Sequence, residues 1–137
     1  MIIIMAILAA VTGPRFAGAI TNHRVENAAR RVVADLTLAR QQAMTRSASV
    51  TVTFTVATDS YQLAGIPHLD RPSEVYAVSL AEEPYQAKIV SAVFDGEAEV
   101  IFDGYGVPDS GGSVVIQVGN RQETVVVDAD TGEAGVQ

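Results

Sequence analysis

Carboxylates are the most closely spaced chemistry-bearing residues of this 137-residue chain. Asp128, Asp130 and Glu133, with Gly132 between them, have the oxygen-rich look of a calcium loop, because a hard cation takes several carboxylate oxygens. Their spacing departs from the twelve-residue calcium loop, so a solvated turn is expected. Asp95, Glu97, Glu99 and Asp103 crowd two further turns. Paired carboxylates divide acid and base work when a cleft raises the pKa of one of them. Nothing in the surrounding sequence implies such a cleft, and a charged rim that protects a strand edge is expected instead. His23 and His68 are the only histidines and lack metal-ligand spacing. Cysteine is absent, which excludes disulfides, thiolate metal sites and thiol catalysis. Ser110-Gly111-Gly112-Ser113 leads into a strand-like run, so it cannot place a phosphate at a helix N-terminus. No serine sits in a nucleophile elbow. The expectation is a chain with no catalytic residue, no metal ligand and no cofactor, and not an enzyme.

Positive charge is segregated from negative charge. Residues 1–47 carry Arg15, Arg24, Arg30, Arg31, Arg40 and Arg46 against Glu26 and Asp35, a net +4. Residues 48–137 carry Arg71, Lys88 and Arg121 against fourteen acids, a net −11. Two readings fit: the basic and acidic parts pair between subunits, or the acids keep that half soluble. Arg24, Arg30, Arg31 and Arg40 could meet phosphates of lipid or nucleic acid. The aromatics do not interleave with them as a single-strand stacking platform requires. Exposure to solvent or ion pairs with neighbouring subunits is expected.

The elements that must position these residues follow from periodicity. Val25, Ala29, Val32, Leu36, Ala39 and Ala43 recur three or four apart, and Ala28, Val33 and Met44 widen the stripe. One helix with an amphipathic shaft over 15–47 is expected, although Thr21 or Asn22 could cap a separate one. The period then changes to two. Val50, Val52, Phe54 and Val56 alternate with Ser49 and three threonines, as in a half-buried antiparallel strand. A turn at 58–60 leads to a hairpin partner at 61–64, and 65–73 is expected to be a loop. Further strands are expected near 75–80, 87–93, 99–102, 113–118 and 123–127, the last two around the turn Gly119-Asn120. Asp95-Gly96, Asp103-Gly104 and Gly111-Gly112 mark other turns. The expected organisation is an N-terminal helix at 1–47 and a β-rich head at 48–137.

Residues 1–13 carry no charge. They are too few to span a bilayer alone, which takes roughly 20 apolar residues. Pro14 removes a backbone hydrogen bond and is expected to kink the helix. No Lys or Arg precedes Arg15, as a secretory signal would require.

Met5-Ala6-Ile7-Leu8-Ala9-Ala10-Val11 followed by Pro14 resembles the apolar helix tip of type IV pilins and type II secretion pseudopilins. The run Leu36-Thr37-Leu38-Ala39-Arg40-Gln41-Gln42-Ala43, leading into the strand at 50–54, resembles the minor pseudopilin GspH/FimT family. Phe102, Gly106, the strands at 114–118 and 125–127, and the late Thr131-Gly132 turn follow that family's order. The family's basic leader, peptidase-site glycine, aromatic residue and docking glutamate are not matched. Aligning on the tip places roughly two helical turns before Met1.

The resemblance implies an α+β, pilin-like fold in which a long N-terminal helix packs on an antiparallel β-sheet head. It implies a structural minor pseudopilin of a type II secretion system, held in the bacterial inner membrane with its head in the periplasm. Subunits of this kind are extracted into a pseudopilus, with minor members near its tip. The implied partners are other pseudopilin subunits, reached through the N-terminal helix, and inner-membrane lipid. Ile2, Ile3, Ile4, Ile7, Leu8, Val11 and Pro14 are the expected assembly and membrane residues. The alternative is a type IV minor pilin binding DNA for uptake. The acidic head and the tail from Asp128 to Gln137, which has no basic residue, oppose nucleic acid as a partner.

Overall fold

The structure, a computed structural model, describes residues 2–67, 75–82 and 85–137, with side chains from residue 22 onward apart from 65–67 and 75. Helix α1 runs unbroken over Ile2–Arg46, so no separate helix starts at Thr21 or Asn22. Val25, Ala28, Ala29, Val32, Leu36, Ala39 and Ala43 are all buried, as the period of 3.6 requires. Four of these seven are alanine, which lets the helix axis lie close to the strands beneath it.

The helix ends in a Schellman motif. The Ala48 N–H donates to the Ala43 carbonyl at 3.1 Å and the Ser47 N–H to that of Met44 at 3.3 Å. Ser47 adopts a left-handed φ of 51°, a position that glycine usually fills.

Two four-stranded antiparallel sheets follow. The strands are β1 (Val50–Thr55), β2 (Ser60–Pro67), β3 (Val75–Ser79), β4 (Lys88–Phe94), β5 (Glu99–Phe102), β6 (Gly112–Val118), β7 (Arg121–Val127) and β8 (Ala134–Val136). One sheet has the order β3-β2-β1-β5 and the other β4-β6-β7-β8. Val50, Val52 and Phe54 of β1 are buried as alternation predicts, beside Val100 and Phe102 of β5. The ring of Phe54 lies 5.4 Å from that of Tyr61 within its own sheet and 5.8 Å from that of Phe94 in the other. Aromatic contact thus joins the two sheets.

Four expectations are corrected. Val56 does not continue β1: it opens a 3₁₀ turn over Val56–Thr58 and is 40% exposed. Asp59 closes that turn with a left-handed φ of 52°, which ends the β1–β2 ladder at Thr55 and Ser60. β2 extends through Pro67, into the expected loop, because a register shift before Pro67 lets it pair with Val75 of β3. Residues 68–74 lie outside the described residues. Gly112 belongs to β6, paired with Phe94 and Val127, and not to a turn. β8 was not among the expected strands; it pairs with β7 through Val125 and Val136.

Candidate functional site

The side chains expected to carry assembly, those of Ile2, Ile3, Ile4, Ile7, Leu8, Val11 and Pro14, lie outside the described side chains, and α1 continues through Pro14, where a kink was expected. Their backbone belongs to α1. The described part of the same helix shows how the shaft is fastened to the strands, at two levels.

The upper turns of the packed shaft carry a carboxylate into the core. Among the described residues Asp35 is the one buried charged side chain, 4% exposed. It lies three residues after Val32 and four before Ala39, so it projects from the apolar stripe. Burial of a carboxylate is costly unless every oxygen is bonded. Asp35 Oδ2 accepts from the Tyr61 hydroxyl of β2 and, at 2.9 Å, from Arg31 Nε one helical turn earlier. Asp35 Oδ1 accepts from the Tyr76 hydroxyl of β3 at 2.9 Å. Arg31 Nη2 donates to that same hydroxyl at 2.7 Å. The carboxylate therefore ties one helix turn to two adjacent strands.

The electrostatics follow from this arrangement. Burial, then the charge and hydrogen bond of Asp35, hold the Tyr61 phenol well above its ordinary pKa. Burial, then the hydrogen bond to Asp35, raise that of Tyr76. Burial opposes the charge of Arg31, but the Asp35 hydrogen bond and charge outweigh it, and the guanidinium is held more firmly protonated. The Arg31 side chain is 38% exposed, so solvent weakens its Coulombic share to that of a surface pair, about 1 kcal/mol or less. The two tyrosine hydrogen bonds are the stronger part of the fastening.

The second level lies one and a half turns further along. Arg40 Nε donates to the Gly106 carbonyl at 3.3 Å. Gly106 has a φ of 79°, and a Cβ there would stand 2.9 Å from the Cγ and Sδ of Met44. Gly132 has a φ of 77°, and a Cβ there would stand 2.5 Å from the Gly106 carbonyl oxygen. Arg40, Gly106 and the Thr131-Gly132 turn are far apart in sequence, and here they form one junction. Asp128 builds the turn that brings Gly132 in. Its Oδ1 accepts the N–H of Asp130 at 2.8 Å and of Thr131 at 3.0 Å. These bonds, Thr131's first, hold its carboxyl below the usual range.

The other candidates are dispersed. Asp103 Oδ1 accepts the N–H of Tyr105 and of Val107, so its carboxylate shapes a loop. Asp95 takes a left-handed φ of 54° in the turn where Phe94 and Glu97 exchange backbone hydrogen bonds. His23 is exposed on the shaft, and His68 lies outside the described residues. Among the described residues no group of three His, Cys, Asp or Glu could hold a metal ion. A half-open groove of about 220 Å³ runs between the shaft and the last strands, lined by Glu26, Ala29, Arg30, Glu123 and Val136. Among the described residues no helix is long and apolar enough to cross a membrane.

Comparison with known proteins bears on the whole arrangement. The model of the family described as type II transport protein GspH matches residues 28–132. The fold is similar to that of the minor pseudopilin EpsH from the type 2 secretion system of Vibrio cholerae. That match has a TM-score of 0.60 at 13% identity, covering 83% of this chain and 96% of that one. It is similar as well to the type IV minor pilin FimU of Pseudomonas aeruginosa strain PAO1, with a TM-score of 0.60 at 13% identity. There the match covers 85% of this chain and 90% of that one. A second crystal form of FimU gives a TM-score of 0.56 at 15% identity, covering 82% and 91%. No curated protein sequence matches significantly. At such identities the structural matches speak for a shared fold.

Proposed function

Because this chain belongs to the GspH family of type II transport proteins, we propose that it is a structural minor pseudopilin of a type II secretion system. Its role is mechanical and not catalytic. The observation that carries this reading is the single helix from Ile2 to Arg46, fastened to the strands through Asp35 and again through Arg40. A force or displacement applied at the helix tip reaches the head through both fastenings.

The apolar tip rests in the inner membrane, with the head on the periplasmic side. On assembly, Ile2, Ile3, Ile4, Ile7, Leu8 and Val11 exchange lipid for the helices of other subunits. Lipid tails are as apolar as these side chains, so close packing drives that exchange. Small residues such as Ala6, Ala9 and Ala10 permit the close approach.

The similarity to FimU, at the same TM-score as EpsH, favours one second reading, a type IV minor pilin. Deleting the chain from its host separates the two. Loss of protein export with surface pili retained supports the pseudopilin. Loss of pili with export retained supports the pilin, and no change in either overturns both. A DNA-uptake role adds a further requirement: the full chain must shift DNA in a salt-sensitive manner. The exposed carboxylates of the loops that follow β5 and β7 oppose that outcome.

A further inference from the structure

Resting on the assembly reading, we propose that the outer edge of β8 and the groove beside it form a docking site for an extended, uncharged segment of another pseudopilin, which pairs with β8 as a fifth strand. The register identifies the free groups. Val126 of β7 faces Gly135 of β8. The Gln137 N–H donates to the Thr124 carbonyl at 2.9 Å, and the Asp128 N–H to that of Glu133 at 3.0 Å. Glu133, Gly135 and Gln137 therefore turn their backbone groups towards β7, and alternation turns those of Ala134 and Val136 outwards. Among the described residues nothing hydrogen-bonds to that outer side. Two other sheet edges are closed. Asp59 Oδ1 accepts the Ile89 N–H of β4 at 3.0 Å, where the register with β6 also shifts. Asp109 exchanges two bonds with Ile101 of β5: its Oδ1 accepts the N–H at 3.0 Å and its own N–H donates to the carbonyl at 2.8 Å. Such carboxylates and bulges keep a strand from pairing further. Ala134-Gly135-Val136 carries no charge and no proline, so β8 keeps an edge that another strand can extend.

The groove gives a side chain of that strand its place. Ala29 of the shaft and Val136 of β8 are its apolar walls, and Glu26, Arg30 and Glu123 complete the lining. That lining holds both signs, so it favours neither an acidic nor a basic segment. Ala134 and Val136 lie on the same face of the sheet as the buried Val127 and Val125 opposite them. Alternate side chains of an added strand therefore point towards the shaft, and an aliphatic one fits the groove. On the other face the space that a Cβ of Gly135 would fill is open, so a bulky residue of the added strand can lie across Gly135 onto Val126. Backbone pairing supplies the affinity of such a site and the groove its selectivity. The direction of β8 excludes a second copy of this chain as the occupant. The chain passes Arg40 at Gly132 and reaches Ala29 at Val136, so β8 runs down the shaft towards the helix tip. A copy paired antiparallel through its own β8 would point its tip the opposite way, which a shared membrane forbids. The segment therefore comes from a different subunit.

The test is amide hydrogen exchange in the full chain, read residue by residue. In detergent and alone, the Ala134 and Val136 amides are expected to exchange rapidly. In the complex with the co-expressed other pseudopilins, both are expected to slow about tenfold or more, and Gln137, already bonded to Thr124, to change less. Val136→Pro removes one outward N–H and no bond to β7, a position at which an edge strand accepts proline. In that variant the complex is expected to form through the helix tips while Ala134 exchanges rapidly again, whereas Val136→Ile keeps the protection. Unchanged exchange at Ala134 and Val136 in a complex that forms overturns this docking alone, and so does protection of Ala134 that survives Val136→Pro. Protection that grows with the concentration of the lone chain means self-pairing and overturns the choice of occupant. Failure of the natural chain to co-purify with the other pseudopilins sinks the assembly reading, and this proposal with it.

Discussion

At the scale of single residues, Asp35 determines how the shaft sits. Replacing it by alanine leaves two tyrosine hydroxyls and a guanidinium without their acceptor. The expected loss is about 2–4 kcal/mol, read from urea unfolding followed by circular dichroism. Because Arg31 is partly solvated, Arg31→Gln is expected to cost less than Tyr61→Phe, for which about 1–3 kcal/mol is expected. The reverse order would mean that the ion pair outweighs the tyrosine bonds. The same site makes a prediction about pH. Tyr61 and Tyr76 titrate above their ordinary value of 10.0 in the folded chain. The unfolded chain therefore loses those protons first as pH rises. The stability these groups contribute is complete below pH 10 and declines above it. Unfolding free energies measured at successive alkaline pH values should fall more steeply for the natural chain than for the Tyr61→Phe, Tyr76→Phe double variant. Asp35 was not singled out from sequence, because an acid between Val32 and Ala39 acquires meaning only once tyrosines from two distant strands are known to meet it. The available signal was its place on the apolar stripe, with Arg31 four residues before it.

At the scale of elements, the shaft was legible because burial imposes a period of 3.6: Val25, Ala28, Ala29, Val32, Leu36, Ala39 and Ala43 are buried, while Val33 at the margin of the stripe is half-buried and Met44 exposed. β1 was legible through alternation, and β5, β6 and β7 through the turn signals around them. β8 was not, since Ala134-Gly135-Val136 is too short to alternate and forms only because Val127 and Val125 offer it an edge. The end of β1 was misplaced for a related reason: the choice between one more strand residue and a 3₁₀ turn lies with Asp59 and not with Val56. Two predictions belong here. Ser47→Gly relieves a left-handed residue at the helix terminus and is expected to stabilise the chain by about 0.5–1 kcal/mol in the same unfolding assay. Gly132→Ala drives a Cβ into the Gly106 carbonyl at 2.5 Å and imposes a strained φ. It is expected to destabilise by about 2 kcal/mol or more. A neutral Gly132→Ala would mean that the junction of Arg40, Gly106 and Gly132 does not hold the shaft.

At the scale of the whole molecule, the residues that carry the family resemblance meet physically. Arg40, Gly106 and Gly132 close on one another where the helix reaches the two sheets, and this explains why their order along the chain was informative. The head is fastened to the shaft there and at Asp35, and the proposed assembly role turns on what the helix tip contacts. Ile7→Arg tests that most directly. It places a charge in the tip and leaves both fastenings, at Asp35 and at Arg40, untouched. The chain is co-expressed with the other pseudopilins, and their co-purification is compared for the natural and Ile7→Arg forms, with circular dichroism of each as a check on folding. The account predicts a folded Ile7→Arg chain that no longer co-purifies. Undiminished co-purification would contradict it.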